Sequence, residues 1–369
     1  MRVLKEKDIL EVLYGATLLG AGGGGSLKFG IDMMEELKKE GKDISIKLLS
    51  PEEIGDDEYA AMVAGLGSPV AMLDNKNGMF GPDAIYAFKA FQKAYAMEGK
   101  TVKYLMSGEM GGFNTFVPML VSILSDDDPE KRIMMVDVDD NGRAVPELNT
   151  TLTCYYGHPA TPLGMGSYNG NEIIIYPQSD HDGEAIARQL CMLYDMRIGF
   201  ATWGMNKQDM LNDLVPGCIT QAQEIGAAML KAKENGADVM EELKKVTEIR
   251  EFCRGKIKSV DLKQVNGFDC GVTTVEGDDG QTYIIEFKNE NLILKDADGD
   301  VKLTAPEGIG LIDLDNTYPL TNADTKEGMN LLVTMVPAHP NWWDEDHKAY
   351  TCWLPEFELI GYTGGPVRY

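Results

Sequence analysis

The chain has 369 residues, of which 44% are hydrophobic, so it can bury a sizeable core and is long enough for two domains. It carries 59 acidic against 34 basic residues, which gives a formal net charge of −25. Nucleic acid and anionic membranes are therefore poor partners, because both require a concentrated basic face. No run approaches the ~20 apolar residues that span a bilayer. Six widely spaced cysteines without a Cys-x-x-Cys motif favour a reduced, cytoplasmic protein.

Two helical patterns at the start of the chain flank a glycine-rich segment. Apolar residues at helical spacing predict helices over residues 9–19 and 27–37. Residues 20–26 match G-x-G-x-x-G, but the dinucleotide fingerprint requires a preceding strand, and here a helix precedes the glycines. The segment is compatible with a close-packed turn and equally with an anion site at the start of the second helix. That site would use the backbone amides of Gly22, Gly23, Gly24 and Gly25.

Strand patterns then alternate with helical patterns. The predicted strands cover residues 44–48, 60–64, 102–106 and 133–138, and the predicted helices cover residues 82–97 and 114–124. Such alternation favours an α/β fold with a parallel or mixed sheet. Residues 183–246 are mainly helical in pattern, and short alternating runs follow from residue 256, with turns at 278–280 and 298–300. We therefore predict an α/β domain at residues 1–167, then a helical segment and a β-rich unit within residues 168–369.

Glycine-bearing turns follow three of the short apolar runs, at residues 65–68, 107–112 and 139–143. If those runs are neighbouring parallel strands, their carboxyl ends meet at one crevice, where open α/β sheets bind ligands. We expect the β-rich C-terminal part to wall this crevice. Asn289 and Glu290 are candidate contributors, although their stretch is equally compatible with a barrel corner. The polar side chains expected there are Glu109, Asn114, Asp137, Asp139, Asp140 and Arg143.

A divalent metal ion at the crevice is an alternative that the sequence leaves open. The candidate ligands are His158, His181 and Asp137, since imidazole and carboxylate groups bind such ions. His181 lies between Asp180 and Asp182, one of which more simply caps the helix that follows.

Residues 20–26, 65–69, 108–114, 137–148 and 287–291 together resemble those of the S-methyl thiohydantoin desulfurase family. The most specific stretch reads Asp-x-Asp-Asp-x-Gly-Arg-Ala-Val-Pro-Glu-Leu, and the resemblance covers nearly the whole chain. It implies a three-layer α/β N-terminal domain and a C-terminal part that contains helices and a small β-barrel. It also implies hydrolytic or desulfurising action on five-membered cyclic ureides or their sulfur analogues.

Hydrolysis at the C=S or C=O carbon of such a ring requires an activated water and an electrophilic group for the developing anion. Glu109 or Asp139 would serve as the base. Arg143, or the amides of Gly111 and Gly112, would stabilise the anion. A bound metal ion would replace part of this machinery by lowering the pKa of the water, and the sequence does not decide between these arrangements.

Further contacts to a small-molecule substrate are expected at the same crevice, with Asn114 holding one edge of the ring. The other expected contacts are Gly67, Ser68, Asp140 and Glu147. A second hypothesis makes the chain a non-catalytic subunit or small-molecule binding protein beside a hydantoinase- or oxoprolinase-type enzyme. Assembly into a homo-oligomer is compatible with either hypothesis.

Overall fold

Strands form two separate sheets in the computed structural model, which describes residues 1–67, 77–265 and 268–368. The first sheet takes its strands from residues 2–216 and the second from residues 250–336. The protein is thus a mixed α/β protein, and the domain boundary after residue 167 stays a prediction. None of the described helices combines the length and apolarity that crossing a membrane requires.

The first sheet is mixed, with a parallel centre. Its strands are β1 Arg2–Lys5, β2 Ser45–Leu49, β3 Glu58–Gly67, β4 Thr101–Ser107, β5 Met135–Asp139, β6 Leu163–Gly166, β7 Glu172–Ile175, β8 Arg197–Met205 and β9 Val215–Pro216. The order is β1-β2-β5-β4-β3-β8-β6-β7, and β9 pairs with β5. β2, β5, β4 and β3 are parallel, and the other pairings are antiparallel. The carboxyl ends of β3, β4 and β5 therefore lie side by side, as predicted. Residues 65–67, predicted as part of a turn, are instead the last residues of β3, and Ser68 lies outside the described residues.

Helices pack around this sheet and against one another. The α-helices are α1 Glu6–Leu19, α2 Leu27–Lys39, α3 Gly81–Met97, α4 Phe116–Ser125, α5 Leu152–Tyr155, α6 Asp180–Leu193, α7 Lys207–Asn212, α8 Cys218–Asn235, α9 Val239–Leu243 and α10 Leu354–Leu359. Short 3-10 helices cover Pro51–Glu53, Pro129–Lys131, Leu148–Thr150, Asn322–Asp324, Pro340–Trp343 and Ala349–Trp353.

α1 and α8 approach so closely that a Cβ on Gly15 would lie 1.8 Å from the carbonyl oxygen of Ala222. Only a residue without a side chain permits this backbone contact.

The second sheet is antiparallel throughout. Its strands are β10 Arg250–Val265, β11 Phe268–Gly277, β12 Thr282–Lys288, β13 Glu290–Asp296, β14 Val301–Thr304, β15 Gly308–Asp313, β16 Tyr318–Pro319 and β17 Asn330–Val336. The order runs from β14 through β13, β12, β11, β10, β17 and β15 to β16. This confirms the β-rich C-terminal part and the turns at residues 278–280 and 298–300. Closure of the sheet into a small barrel stays a prediction, since the described pairings end at β14 and β16.

Two local predictions differ from the structure. β8 lies within the stretch predicted to be mainly helical and pairs with both β3 and β6. Because it is buried on both faces, it shows a continuous apolar run instead of the alternation that marks a half-exposed strand. The cap of α6 is Ser179, whose hydroxyl accepts a hydrogen bond from the Asp182 amide at 3.1 Å. Asp180 instead accepts a hydrogen bond from the Ala160 amide at 2.6 Å.

Candidate active site

A cavity of about 430 Å³ lies at the carboxyl ends of the parallel strands, and both parts of the chain contribute to its wall. Its volume is typical of a small-molecule site. From the first part come the glycine-rich segment, the carboxyl-terminal residues of β3 and residues that follow β4 and β5. From the C-terminal part come Gln264, Asp269, Asn289, Glu290, Thr321, Asn322, Ala323 and Asp324. The apolar wall includes Phe29, Met62, Phe113, Leu148, Met196, Phe200 and Trp203.

Glu109, just beyond β4, is a carboxyl group of this cavity that accepts a hydrogen bond on each of its oxygens. Its Oε1 accepts a hydrogen bond from Asn114 Nδ2 at 2.5 Å, and its Oε2 accepts one from the Val145 amide at 3.0 Å. Asn114 Oδ1 accepts from the Gly65 amide at 3.1 Å, so the ends of three strands position this one carboxyl. Burial raises the pKa of Glu109 to about 7, and the charge of Asp139 adds to the rise. Glu109 can therefore exchange a proton near neutral pH.

Asp139 and Asp140 lie behind Glu109 and outside the described lining of the cavity. Asp139 Oδ1 accepts hydrogen bonds from the amides of Asn141 and Gly142 at 2.9 and 2.7 Å. Both aspartates are fully buried, and burial raises the pKa of Asp139 to about 7 and that of Asp140 well above its usual range. From this position the charge of Asp139 influences the cavity by raising the pKa of Glu109.

Arg143 also lies outside the described lining and ties the turn after β5 to the second sheet. Its Nη1 donates to the carbonyl oxygens of Pro306 and Glu307 at 2.7 and 3.1 Å. Its guanidinium stacks over the Trp353 ring, 4.4 Å from the ring centre. Burial lowers its pKa to about 10, so it is still cationic near neutral pH and influences the cavity by charge.

The glycine-rich segment lines the cavity beside the start of α2. Gly22, Gly23, Gly24 and Gly25 all line it, and no described residue accepts a hydrogen bond from the amides of Gly24 and Gly25. Ser26 caps α2 by accepting a hydrogen bond from the Phe29 amide. The cavity therefore carries donors at the positive end of a helix dipole.

The amides of Gly111 and Gly112 are engaged inside the protein. They donate to Thr115 Oγ1 and to the Gly25 carbonyl oxygen, both at 3.0 Å. A Cβ on Gly111 would lie 2.1 Å from the Gly24 carbonyl oxygen, so the two glycine turns pack backbone to backbone. In this arrangement Gly111 and Gly112 support the loop that carries the amides of Gly24 and Gly25.

Two further predicted contacts line the cavity. Glu147 does so, although its Oε1 accepts a hydrogen bond from Lys288 Nζ at 2.6 Å. Gly67 has a φ of 150°, and a Cβ there would lie 2.0 Å from the Met196 carbonyl oxygen. Ser68 lies outside the described residues.

Asp137 and His181 are separate from the cavity lining. Asp137 Oδ1 accepts hydrogen bonds from the amides of Ile219 and Thr220 at 2.9 and 3.1 Å, in the first turn of α8. This carboxylate therefore stabilises a helix terminus. His181 is exposed at the start of α6.

His158 belongs to a different group of polar side chains. Its Nε2 lies 2.7 Å from Asp213 Oδ2, and one ligand atom from each of His158, Asp209 and Asp213 lies within 4.8 Å of the others. Asp209 and Asp213 were not predicted as ligand candidates. Among the described residues this is the one group whose spacing fits a metal ion, and none of its members lines the cavity.

Several lining residues were not predicted from the sequence. Arg188 on α6 is the one cationic side chain in the described lining; its Nε donates to Glu184 Oε1 at 2.6 Å, and it stacks on Phe268 at 4.5 Å. The spacing of Glu184 and Arg188 is visible in the sequence as an i,i+4 pair, but such pairs are common on exposed helices. Asn322 in the C-terminal part carries no sequence signal of a site.

Comparison with known proteins agrees with this architecture. Residues 7–177 match the model of the S-Me-THD-like N-terminal domain, and residues 178–357 match that of the S-Me-THD-like C-terminal domain. The fold is similar to the X-ray crystal structure of a protein from Chromobacterium violaceum, with a TM-score of 0.80 and 21% identity over 100% of this chain and 99% of that one. No curated protein matches the chain. The chain belongs to the S-Me-THD-like family, that of the S-methyl thiohydantoin desulfurases.

Proposed function

We propose that this protein is a hydrolase of a five-membered cyclic ureide or its sulfur analogue, of the hydantoin or thiohydantoin type. The observation that carries the proposal is Glu109, a carboxyl in a ligand-sized cavity whose pKa burial raises to about 7. A general base works best when its pKa lies near the working pH. Family membership supplies the class of ring.

The walls of the cavity suit a small planar heterocycle. Phe113, Phe200 and Trp203 offer apolar surface for the faces of the ring. Hydrogen-bonding groups from both parts of the chain also line the cavity, among them Glu109 after β4 and Asn322 in the C-terminal part. A few polar groups within an apolar wall are the usual composition of a site that orients a small ligand.

In the proposed reaction, ionised Glu109 accepts a proton from the water that attacks the C=S or C=O carbon. Negative charge then develops on the sulfur or oxygen. The amides of Gly24 and Gly25 would donate to that atom, since they have no described acceptor. The guanidinium of Arg143, which lies outside the lining, would further stabilise this negative charge through its own positive charge.

A divalent ion would supply a more acidic water in such a reaction. The described cavity wall contains no group of three ligand atoms at metal spacing, and the one such group, His158 with Asp209 and Asp213, lies elsewhere. The proposed steps therefore use only side chains and backbone amides.

The test is turnover of a panel of hydantoins, thiohydantoins and S-methyl thiohydantoins, followed by release of sulfide, methanethiol or ring-opened product. Glu109→Gln keeps the shape of the side chain and should lower kcat by about 10²–10⁴-fold. Glu98→Gln is the matched control, because Glu98 is exposed at the end of α3. Equal rates for wild type and Glu109→Gln would contradict the proposal. A chain that is inert alone and active only with a hydantoinase-type enzyme would establish the subunit hypothesis instead.

A further inference from the structure

A second buried carboxyl group, Glu290, enters the same cavity from the other sheet. Glu290 begins β13 and is 2% exposed. Its segment is fixed against the glycine-rich segment, because the amides of Asn291 and Asn322 donate to the carbonyl oxygens of Ala21 and Gly22 at 2.8 and 2.9 Å. The Glu290 carboxyl packs directly on Gly23, where a Cβ would lie 2.0 Å from Oε1.

The surroundings of Glu290 favour its neutral form. Its Oε2 is sealed from solvent and has no hydrogen-bond partner among the described residues. The cation whose charge acts on Glu290 is Arg143. Its Nη1 and Nε donate to backbone carbonyl oxygens, and its Nη2 has no hydrogen-bond partner in the described part of the chain. A buried carboxylate with an unpaired oxygen is costly, so such a group takes up a proton.

The charged groups around Glu290 also raise its pKa on balance, which favours the neutral form. Burial raises the pKa of Glu290 well above its usual range, and the charge of Glu109 raises it further. Arg143 opposes the rise, while Glu356 adds to it. Two carboxyls that share one site and have different surroundings commonly divide the roles of acid and base.

We propose that Glu290 is the proton donor of this site, a neutral carboxyl that works together with the base Glu109 on the bound ring. The proposal rests on the proposed hydrolytic function and assigns a catalytic residue to it. It divides the reaction between the two sheets, because Glu109 follows β4 of the first sheet and Glu290 begins β13 of the second. Neither part would then be active alone.

The proton transfers balance over one turnover of a thiocarbonyl substrate. Water oxygen bonds to the ring carbon, the proton of that water passes to Glu109, and the sulfur takes the proton of Glu290. As the C–S bond breaks, the departing sulfur takes the proton from Glu109, and the hydroxyl on carbon returns its proton to Glu290. The products are the ring carbonyl and H₂S, and both carboxyls regain their starting states.

Infrared difference spectroscopy tests the state of Glu290 without any substrate. The spectra are recorded at about one pH unit above the pKa of Glu109, where Glu109 is ionised. Subtracting the Glu290→Gln spectrum from that of wild type should show a protonated carboxyl band. Glu276→Gln, an exposed glutamate on the same sheet, should show only carboxylate bands. Carboxylate bands alone for Glu290→Gln would overturn the proposal, and Glu290→Ala provides a second variant with the same requirement.

Kinetics then test the catalytic role. Glu290→Gln can still donate a hydrogen bond but cannot release a proton, so kcat should fall at least about 100-fold while KM changes little. An unchanged kcat would remove Glu290 from the chemistry. If wild type turns over no ring in the panel, the proposed function fails, while the infrared result still decides whether Glu290 is a buried acid.

Discussion

At the scale of single residues, Glu109 links the chemistry to the stability of the fold. Its pKa is about 7 in the folded protein, whereas an unfolded glutamate titrates near ~4.3. The folded state therefore binds more protons than the unfolded state between these values, and stability falls as pH rises through this window. Above the folded pKa the loss is complete.

Glu109→Gln should remove this dependence. Compared with the variant, wild type should lose up to about 3 kcal/mol of unfolding free energy between pH ~4 and pH ~7. Urea unfolding at a series of pH values measures the difference. The unfolding free energy of Glu98→Gln should change with pH as that of wild type does over the same range. If the unfolding free energy of Glu109→Gln also follows wild type, Glu109 ionises as it does in water.

The negative charge of Asp139 raises the pKa of Glu109. Asn at this position keeps the Oδ1 that accepts from the amides of Asn141 and Gly142 but removes the charge that raises the pKa of Glu109. We expect Asp139→Asn to retain turnover and to move the acidic limb of kcat/KM to lower pH. Complete loss of activity in a folded variant would instead place Asp139 in the proton transfer itself.

At the scale of elements, the backbone of the glycine-rich segment packs directly against the C-terminal part. Gly23 carries the Glu290 carboxyl directly on its backbone, so Gly23→Ala should lower both stability and turnover. The cost should be much smaller in a Glu290→Ala background, because the clashing atoms are gone. Denaturant unfolding of the four proteins measures this coupling, and strictly additive effects would show that the contact does not matter.

The strands of the parallel centre could be predicted, and with them the position of Glu109 and Asn114. Short apolar runs ended by glycine identify β3, β4 and β5, and parallel strands must end at the same edge. Asn289 and Glu290 could be named as candidate contributors from the sequence, and both line the cavity, but the contribution of Asn322 could not be predicted from local pattern. It depends on how the second sheet packs on the glycine-rich segment, where the partners are nearly 270 to 300 positions apart in sequence. The placement of Arg143 also depends on this packing.

At the scale of the whole molecule, buried polar contacts join the two sheets around the cavity. Trp342 Nε1 donates to the Asn141 carbonyl oxygen at 2.9 Å, and Arg143 reaches the carbonyl oxygens of Pro306 and Glu307. Polar contacts buried on both sides are lost together when either part opens. We expect a single unfolding transition, with the same midpoint by circular dichroism and by tryptophan fluorescence; two separate midpoints would show that the parts unfold independently.

Lys288 is the strongest single test of this coupling. Its ammonium donates to Glu147 Oε1 at 2.6 Å and to Glu356 Oε2 at 3.0 Å, so one buried cation holds carboxylates from both parts of the chain. Lys288→Met keeps the apolar stem and leaves two facing carboxylates, which should cost about 3–5 kcal/mol at neutral pH. Because burial already raises the pKa of Glu356, lowering the pH should protonate this group and recover part of the loss. Urea unfolding of Lys288→Met and of Lys288→Met with Glu356→Gln measures both effects. The double variant should be the more stable of the two at neutral pH, and equal stability would mean that the repulsion between Glu147 and Glu356 is screened.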